Sequence, residues 1–169
     1  MNRLNIQLAQ KNVDVINSNY FVASKTTTQT CTKNVFTNIT FDTTPVIKGW
    51  TYNSTAGNFK CHEFGIYSIN FTTLIASSST NGEVASVRLA LTRSSDAQQV
   101  ANEVSGSSIT KAFVNNSQWS NSVLLKVNAG DIISLQFTGN GGTETISTAS
   151  AIGGETPVLA SLKVTLFAE

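Results

Sequence analysis

The only histidine in the chain, His62, limits the acid–base chemistry that the sequence can support. A serine–histidine–carboxylate triad would have to use this residue, because the histidine takes the proton from the nucleophile. His62 follows Cys61 in a predicted turn between two strands, a position typical of a structural histidine at or near the surface. A metal site built on this pair lacks further ligands nearby in the sequence. The pattern therefore favours a structural role for His62.

The ten carboxylates of the chain are spread singly and form no paired motif. Glycoside hydrolysis needs two carboxyl groups held a fixed distance apart, and no pattern here points to such a pair. The stretch 139–143 is glycine-rich, but no Gly-Lys-Ser/Thr follows it, so it does not match a phosphate-binding loop. We therefore predict a protein that is not an enzyme and that binds no metal or cofactor.

The two cysteines, Cys31 and Cys61, do not form a Cys-x-x-Cys pair, which argues against a zinc or redox site. A disulfide between them is possible if their strands are neighbours. Two buried thiols are the favoured alternative, because a chain of 169 residues can bury enough apolar surface without a crosslink.

Three aromatic residues in polar surroundings, Trp50, Tyr52 and Trp119, are candidate interface or ligand-binding residues. Such rings combine a large apolar surface with a polar group, so they can line a sugar site or a subunit interface. Packing in the core or in an interface is the favoured alternative to a sugar site.

Charged side chains make up 12% of the chain, and eleven Lys and Arg nearly balance ten Asp and Glu. The basic residues are scattered, so nucleic acid is not a predicted partner. The apolar runs are shorter than the ~20 residues of a membrane-spanning helix, so no membrane insertion is predicted. Threonine, serine and asparagine supply the polarity, which suits a surface that packs against neighbouring chains but is also ordinary in β-proteins.

Apolar residues alternate with polar ones at a period of two, which predicts strands with one buried face. The five clearest segments carry Ile39 and Phe41; Tyr67, Ile69 and Phe71; Val87, Leu89 and Leu91; Ile133, Leu135 and Phe137; and Leu162, Val164 and Leu166. Glycine-containing turns separate the segments, and no helical period is sustained. Short strands at this spacing predict an all-β fold, a sandwich or jelly roll.

Residues 1–19 differ from the rest of the chain. Leu4, Ile6 and Leu8 alternate with polar residues, so this segment is either an extra strand or an N-terminal arm that lies on the sheet edge of a partner. The three apolar residues are candidate interface positions. The segment has no continuous apolar core and no clear cleavage site, so we do not expect a signal peptide.

Four segments follow one another in a characteristic order along the first half of the chain. They are Phe21–Ser24, Val35–Phe41, Trp50–Cys61 and Glu63–Phe71. This succession resembles the globular head of the complement recognition protein and its tumour-necrosis-factor-like relatives. That family has a first strand with Phe, a strand ending near Asn, a Tyr-Asp-x-x-Thr-Gly-x-Phe-x-Cys turn and a Pro-Gly-x-Tyr-x-Phe strand. Phe64 stands where Pro is usual, and Asn53 where Asp is common.

Later segments agree with the same family. Val87–Leu91 matches a short strand before a polar turn, Ser122–Leu135 matches two strands joined by a Gly-Asp turn, and Leu159–Phe167 matches the final strand. The resemblance implies that residues 20–169 form a two-sheet antiparallel jelly-roll sandwich that assembles as a homotrimer. The collagen-like stalk of many extracellular members is not seen in this sequence.

Two functions are consistent with these features. The first is a structural component of a virion surface, such as a capsid decoration, spike or fibre head, with the N-terminal arm docking on a capsid or other surface-assembly protein. The second is an extracellular recognition module, like the complement head, that binds a receptor or glycan. Both rest on recognition and assembly, without bond-making chemistry.

Overall fold

The computed structural model describes residues 19–43, 46–76, 83–94, 99–100, 108–113, 116–141, 144–146 and 158–169. The predicted arm residues Leu4, Ile6 and Leu8 lie outside these residues. In the described part of the chain all regular structure is β-strand, and no helix there has the length and hydropathy to span a membrane.

The strands are, in chain order, β1 (Tyr20–Lys25), β2 (Gln29–Thr30), β3 (Thr37–Asn38), β4 (Val46–Lys48), β5 (Trp50–Asn53), β6 (Asn58–Cys61), β7 (Gly65–Ala76), β8 (Glu83–Thr92), β9 (Gln99–Val100), β10 (Ser108–Phe113), β11 (Asn116–Val127), β12 (Ile132–Gly139), β13 (Thr145–Ile146) and β14 (Ala160–Ala168).

These strands form two antiparallel sheets. The first sheet has β7 at its centre, paired with β11 on one side and with β14 on the other, and continues through β1 to β4. The second sheet has β12 at its centre, between β8 and the strands β3 and β6, and β5 and β10 lie further out. The predicted two-sheet antiparallel jelly-roll sandwich is confirmed.

The core lies between the sheets and follows the alternation of the sequence. Along β7, Tyr67, Ile69 and Phe71 expose at most 2% of their surface, while Ser68 and Asn70 between them face outward. Burying each large apolar side chain contributes about 1.5–3 kcal/mol. The inward residues predicted on β8, β12 and β14 are buried in the same way.

The segment of Ile39 and Phe41 differs from its prediction. Both side chains are buried, but the regular strand β3 ends at Asn38. The backbone of Phe41 is paired instead with a side chain, because its N–H donates to the Tyr52 hydroxyl (2.7 Å) and its carbonyl accepts from the same hydroxyl (2.9 Å). A side-chain oxygen therefore replaces a neighbouring strand at this point.

Stacked aromatic rings join the two sheets. Phe59 of the second sheet lies between Phe21 of the first sheet, at a centroid distance of 4.1 Å, and Tyr52, at 4.5 Å. Trp50 contacts Tyr67 edge-on at 5.1 Å. Such pairs add about 0.5–1.5 kcal/mol each to the energy of burial. The segment Trp50–Cys61, one of the four that carried the family resemblance, thus contributes to the centre of the core.

Two glycines take the backbone through turns that the sequence predicted. Gly57 (φ 64°) lies between β5 and β6, and Gly130 (φ 90°) lies between β11 and β12. Residues with a Cβ rarely adopt this region. At Gly57 an added Cβ would also come within 2.9 Å of the Ile39 carbonyl oxygen.

Candidate ligand-binding groove

A polar groove runs along the outer face of the second sheet, over β12. We call it the amide groove; its volume is about 540 Å³, within the usual range for small-molecule sites. Its described lining comprises Gln29, Phe36, Thr37, Asn38, Thr40, Thr55, Ala56, Asn58, Thr92, Ile132, Ser134 and Gln136. These side chains are neutral, and amides and hydroxyls predominate among them.

The floor of the amide groove is buried although it faces away from the core. Ser134 and Gln136 lie on the outward side of β12, yet each exposes only 5%, and Ala90, opposite Ser134 on β8, exposes 1%. Outward positions of a sandwich strand are ordinarily exposed. Polar groups recessed in this way can bind a ligand with less competition from water.

Gln136 connects the two sides of the groove. Its Oε1 accepts a hydrogen bond from Arg88 Nε (2.8 Å), and its Nε2 donates to Asn38 Oδ1 (2.7 Å). Asn38 Nδ2 in turn donates to the carbonyl of Ala56 (2.7 Å). The chain of bonds fixes the side chains of β8, β12 and β3 relative to one another, so the groove wall is preorganised.

Gln29 fixes the wall of the groove on the side of the first sheet. Its Nε2 donates to the Asn38 carbonyl (2.6 Å), and its Oε1 accepts from the N–H (3.0 Å) and the hydroxyl (3.2 Å) of Thr40. A glutamine with both ends bonded cannot rotate freely. The irregular segment after β3 therefore has a defined position along the groove.

Arg88 lies beside the groove. Its guanidinium carbon is 3.6 Å from the centre of the Phe36 ring, a cation–π contact, and burial lowers the pKa of the side chain. Only Nε is bonded, to Gln136, and Arg88 forms no ion pair within the described residues. Its two terminal nitrogens therefore keep N–H donors for a ligand.

A second depression of about 450 Å³ continues from the groove and shares Thr92 and Ile132 with it. Lys60 gives this end a positive charge, and Arg93 beside it is paired with Asp131 (2.9 Å). The pKa of the nearby carboxyl Asp131 is lowered: burial raises it, but hydrogen bonds from the backbone of Ser94 and Asn128 and from the Arg93 side chain outweigh that effect.

The three aromatic candidates predicted from the sequence lie elsewhere. Trp50 and Trp119 belong to the core, with 4% and 2% of their surface exposed, and Tyr52 is half buried with its hydroxyl bonded to Phe41. Packing in the core or in an interface was the favoured alternative for them in the sequence. Their rings offer little surface to a ligand.

His62 and the two cysteines make no site with one another. His62 is exposed, with its Nε2 2.6 Å from the Thr51 hydroxyl. Both cysteines are thiols in the structure, and Cys61 donates to the Glu63 carbonyl (2.9 Å), with its Sγ 3.6 Å from the Tyr67 hydroxyl. Burial raises the pKa of the Cys61 thiol, which makes it a poor nucleophile. In the described residues no three His, Cys, Asp or Glu side chains converge as a metal site.

The groove residues were not singled out from the sequence. Arg88 and Gln136 were seen only as polar positions between apolar ones, and nothing in their separation along the chain links them. They meet because β8 and β12 pair with Arg88 opposite Gln136. The available signal was the presence of Arg and Gln at outward positions of otherwise apolar strands.

The outer face of the first sheet is a different surface, which we call the hydroxyl face. Its outward residues on β7, β11 and β14 are mainly Ser68, Asn70, Thr72, Ser120, Ser122, Ser161 and Thr165. Three exposed apolar residues border them, Val22 (42% exposed), Val46 (60%) and Leu124 (55%). Hydroxyls cost less to desolvate than charges, and the exposed apolar side chains would gain from burial, so this face suits contact with another protein surface.

Comparison with known proteins adds to these observations. A family model described as "C1q domain" matches residues 20–154. Eiger TNF from S. frugiperda superposes with a TM-score of 0.62 at 10% identity, over 89% of this chain and 92% of that one. The globular domain of zebrafish complement 1qA protein superposes with a TM-score of 0.56 at 14% identity, over 90% of this chain and 100% of that one. No curated protein matches the sequence.

Proposed function

The chain belongs to the C1q domain family, and from that membership we propose that it acts as a homotrimeric, non-enzymatic binding module. C1q and TNF-like domains are in general non-enzymatic. The observation that carries the binding function is the amide groove, where Gln136 holds Arg88 and Asn38 around a recessed polar floor. Its described lining offers donors and acceptors but no nucleophile with an adjacent base.

The hydroxyl face supports the trimeric state. It is a broad surface of small neutral side chains, with Lys163 opposite Asn70 as a charge near its centre. Three chains that bury this face around an axis would shield Val22, Val46 and Leu124 from water. Each fully buried apolar side chain of this size contributes about 1.5–3 kcal/mol.

The assembly is tested by light scattering after size-exclusion chromatography. We expect a mass of three chains of 18.0 kDa each, unchanged on dilution to micromolar concentration. A stable monomer at that concentration would refute the trimer.

For location, we propose an extracellular recognition module that binds a receptor or glycan. This proposal is supported by the likeness to a complement component and a tumour necrosis factor. Screening the purified protein against a glycan array and against secreted and cell-surface proteins tests it. We expect a reproducible partner whose binding weakens when residues of the amide groove are substituted. Partners that bind such groove variants equally well would count against the proposal.

A virion-surface component is the second candidate. The low share of charged residues, 12%, and the mainly uncharged hydroxyl face favour a protein that packs within a larger assembly. In this case residues 1–19, with Leu4, Ile6 and Leu8, would dock on a capsid or other surface protein. The protein should then be recovered in purified particles, and removal of residues 1–18 should abolish its incorporation while the β-sheet circular dichroism is kept. Absence from such particles would remove this candidate.

A further inference from the structure

We propose that the amide groove and its cationic extension bind an acidic oligosaccharide, a hydroxyl-rich chain that carries carboxylate or sulfate groups. This inference rests on the proposed binding function and specifies its ligand. The juxtaposition that supports it is a recessed neutral floor with one cationic side chain at each end, Arg88 and Lys60, that has no ion-pair partner among the described residues.

The first end is Arg88. The Phe36 ring and the Gln136 amide hold its guanidinium in one orientation through the cation–π contact and the Nε bond. The terminal nitrogens remain available, and a guanidinium can bind a carboxylate or sulfate through two parallel hydrogen bonds. Because the side chain is already ordered, the ligand does not have to offset the entropy of fixing it.

The second end is the depression with Lys60 and Arg93. Lys60 is exposed and has no carboxylate within ion-pair distance among the described residues. Arg93 is bonded to Asp131 (2.9 Å), whose carboxylate also accepts from two backbone N–H groups. The Arg93–Asp131 pair is therefore close to neutral as a whole, so the positive charge at this end is that of Lys60, and no carboxylate is among the described lining residues of either depression.

The distance between the two ends sets the size of the ligand. Arg88 pairs with Gln136, and Lys60 pairs with Ile132, four residues earlier on the same strand. Four residues of a strand extend about 13 Å, and because β8 and β6 flank β12 on opposite sides the two residues are further apart than that. A single sugar ring is too short to reach both ends, whereas an oligosaccharide can.

The side chains in the middle of the groove can form hydrogen bonds with the hydroxyl groups of a sugar. Asn58 and Ser134 offer amide and hydroxyl groups along the path between the charged ends. Hydroxyls and amides can both donate and accept, as a sugar hydroxyl does. Carboxylates would instead repel the acidic ligand, and the described lining of the groove contains none.

The proposal is tested by calorimetric titration of the intact protein with three probes of similar length. One is a uronate-containing oligosaccharide, one is a sulfated oligosaccharide, and one is a neutral glucose oligosaccharide. We expect the uronate or the sulfated probe to bind at least tenfold more tightly than the neutral one, with affinity that falls as salt screens the charges. The first two probes distinguish a carboxylate ligand from a sulfate ligand.

Variants locate the binding site. Lys60→Gln and Arg88→Gln should each weaken binding of the preferred acidic probe by about tenfold or more, because each removes a charge-assisted contact. Lys126→Gln is the matched control, since Lys126 is an exposed lysine on β11 of the other sheet, and it should leave the affinity unchanged. Circular dichroism of Arg88→Gln checks the fold, and Lys60→Gln tests the site without disturbing the Gln136 network.

Each negative result would overturn a different part of the proposal. Equal or tighter binding of the neutral probe at the groove would overturn the acidic ligand but leave the binding module intact. Loss of binding in Lys126→Gln to the same extent as in Lys60→Gln would show that only overall charge matters, and would overturn the site. No binding of any saccharide, with a trimer still present, would overturn this inference without affecting the assembly.

Discussion

At the scale of single residues, the carboxylate of Asp42 has a well-defined structural role. Oδ1 accepts from the N–H (2.8 Å) and the hydroxyl (3.0 Å) of Thr26, and Oδ2 accepts from the N–H (2.9 Å) and the hydroxyl of Thr27. The buried amine of Lys25 lies 3.7 Å from Oδ2. Asp42 thus ties the turn after β1 to the segment that follows β3.

The lowered pKa of Asp42 predicts how the free energy of unfolding changes in acid. Burial raises the pKa, but the hydrogen bonds from Thr27 and Thr26 lower it from 3.8 to about 2. Because the folded-state pKa lies below the unfolded value, the stabilisation is complete above about pH 4 and is lost as the pH falls towards 2.

Asp42→Asn should therefore lower the free energy of unfolding at pH 7 by about 1 kcal/mol, a value reduced for the partial exposure of the carboxylate. Urea unfolding at pH 7, 4, 3 and 2 measures it. The difference between the variant and the parent should shrink through this series, so the pH 2 measurement is the internal control. A difference that is equally large at pH 2 would contradict the assigned pKa.

At the scale of elements, the sequence predicted regular strands better than segments with an irregular backbone. The alternation of Tyr67, Ile69 and Phe71 was enough to predict β7, because a long central strand keeps one face in the core. The same alternation at Ile39 and Phe41 predicted burial correctly but not the irregular backbone. That outcome depends on the Tyr52 hydroxyl, which reaches Phe41 only after β5 has folded beside it.

Tyr52→Phe tests whether the Tyr52 hydroxyl takes the place of a paired strand at Phe41. The change keeps the ring stacked on Phe59 but leaves the N–H and carbonyl of Phe41 without their partner, so we expect a loss of about 1–3 kcal/mol in the free energy of unfolding. Tyr20→Phe is the matched control: its hydroxyl has no hydrogen bond within the described residues, so the change should stay within about 0.5 kcal/mol. Equal effects of the two variants would mean that the hydroxyl of Tyr52 is not needed.

The candidate site was less predictable than the fold for a related reason. Arg88, Gln136 and Asn38 are brought together by the register of three strands, and neighbours in a sheet cannot be read from separation in sequence. A change of one residue in register would turn each side chain to the other face. The family resemblance supplied the order of the strands but did not supply the side chains on their outer faces.

At the scale of the whole molecule, the two outer faces of the sandwich differ in character. The second sheet carries the amide groove with its positive ends, and the first sheet carries the hydroxyl face with exposed Val22, Val46 and Leu124. A trimer built on the first face would leave the second face open to a ligand. Three copies of a weak site would then act together on one long ligand, which raises the overall affinity without any new contact.

Thr72→Arg tests whether the trimer forms through the hydroxyl face. Thr72 lies at the centre of the hydroxyl face, opposite Ser120 and Ser161, so an arginine there would have to be buried unpaired in the trimer. We expect the mass in light scattering to fall to that of a single chain, while the β-sheet circular dichroism is unchanged. Thr32→Arg, an exposed position outside both faces, should stay trimeric. Trimers of the Thr72 variant would show that the assembly uses another surface.

The aromatic packing between the sheets also gives the protein a built-in optical reporter. Trp50 is held between the rings of Phe21 and Tyr67, and Trp119 is buried on β11. Both indoles are shielded from water in the folded chain, so their emission should lie at short wavelength and shift to the red on unfolding. Trp50 senses the separation of the two sheets, whereas Trp119 senses the release of β11 from β7. Phe substitutions at each position in turn would therefore allow fluorescence to resolve whether the sandwich opens as one unit or loses β11 first.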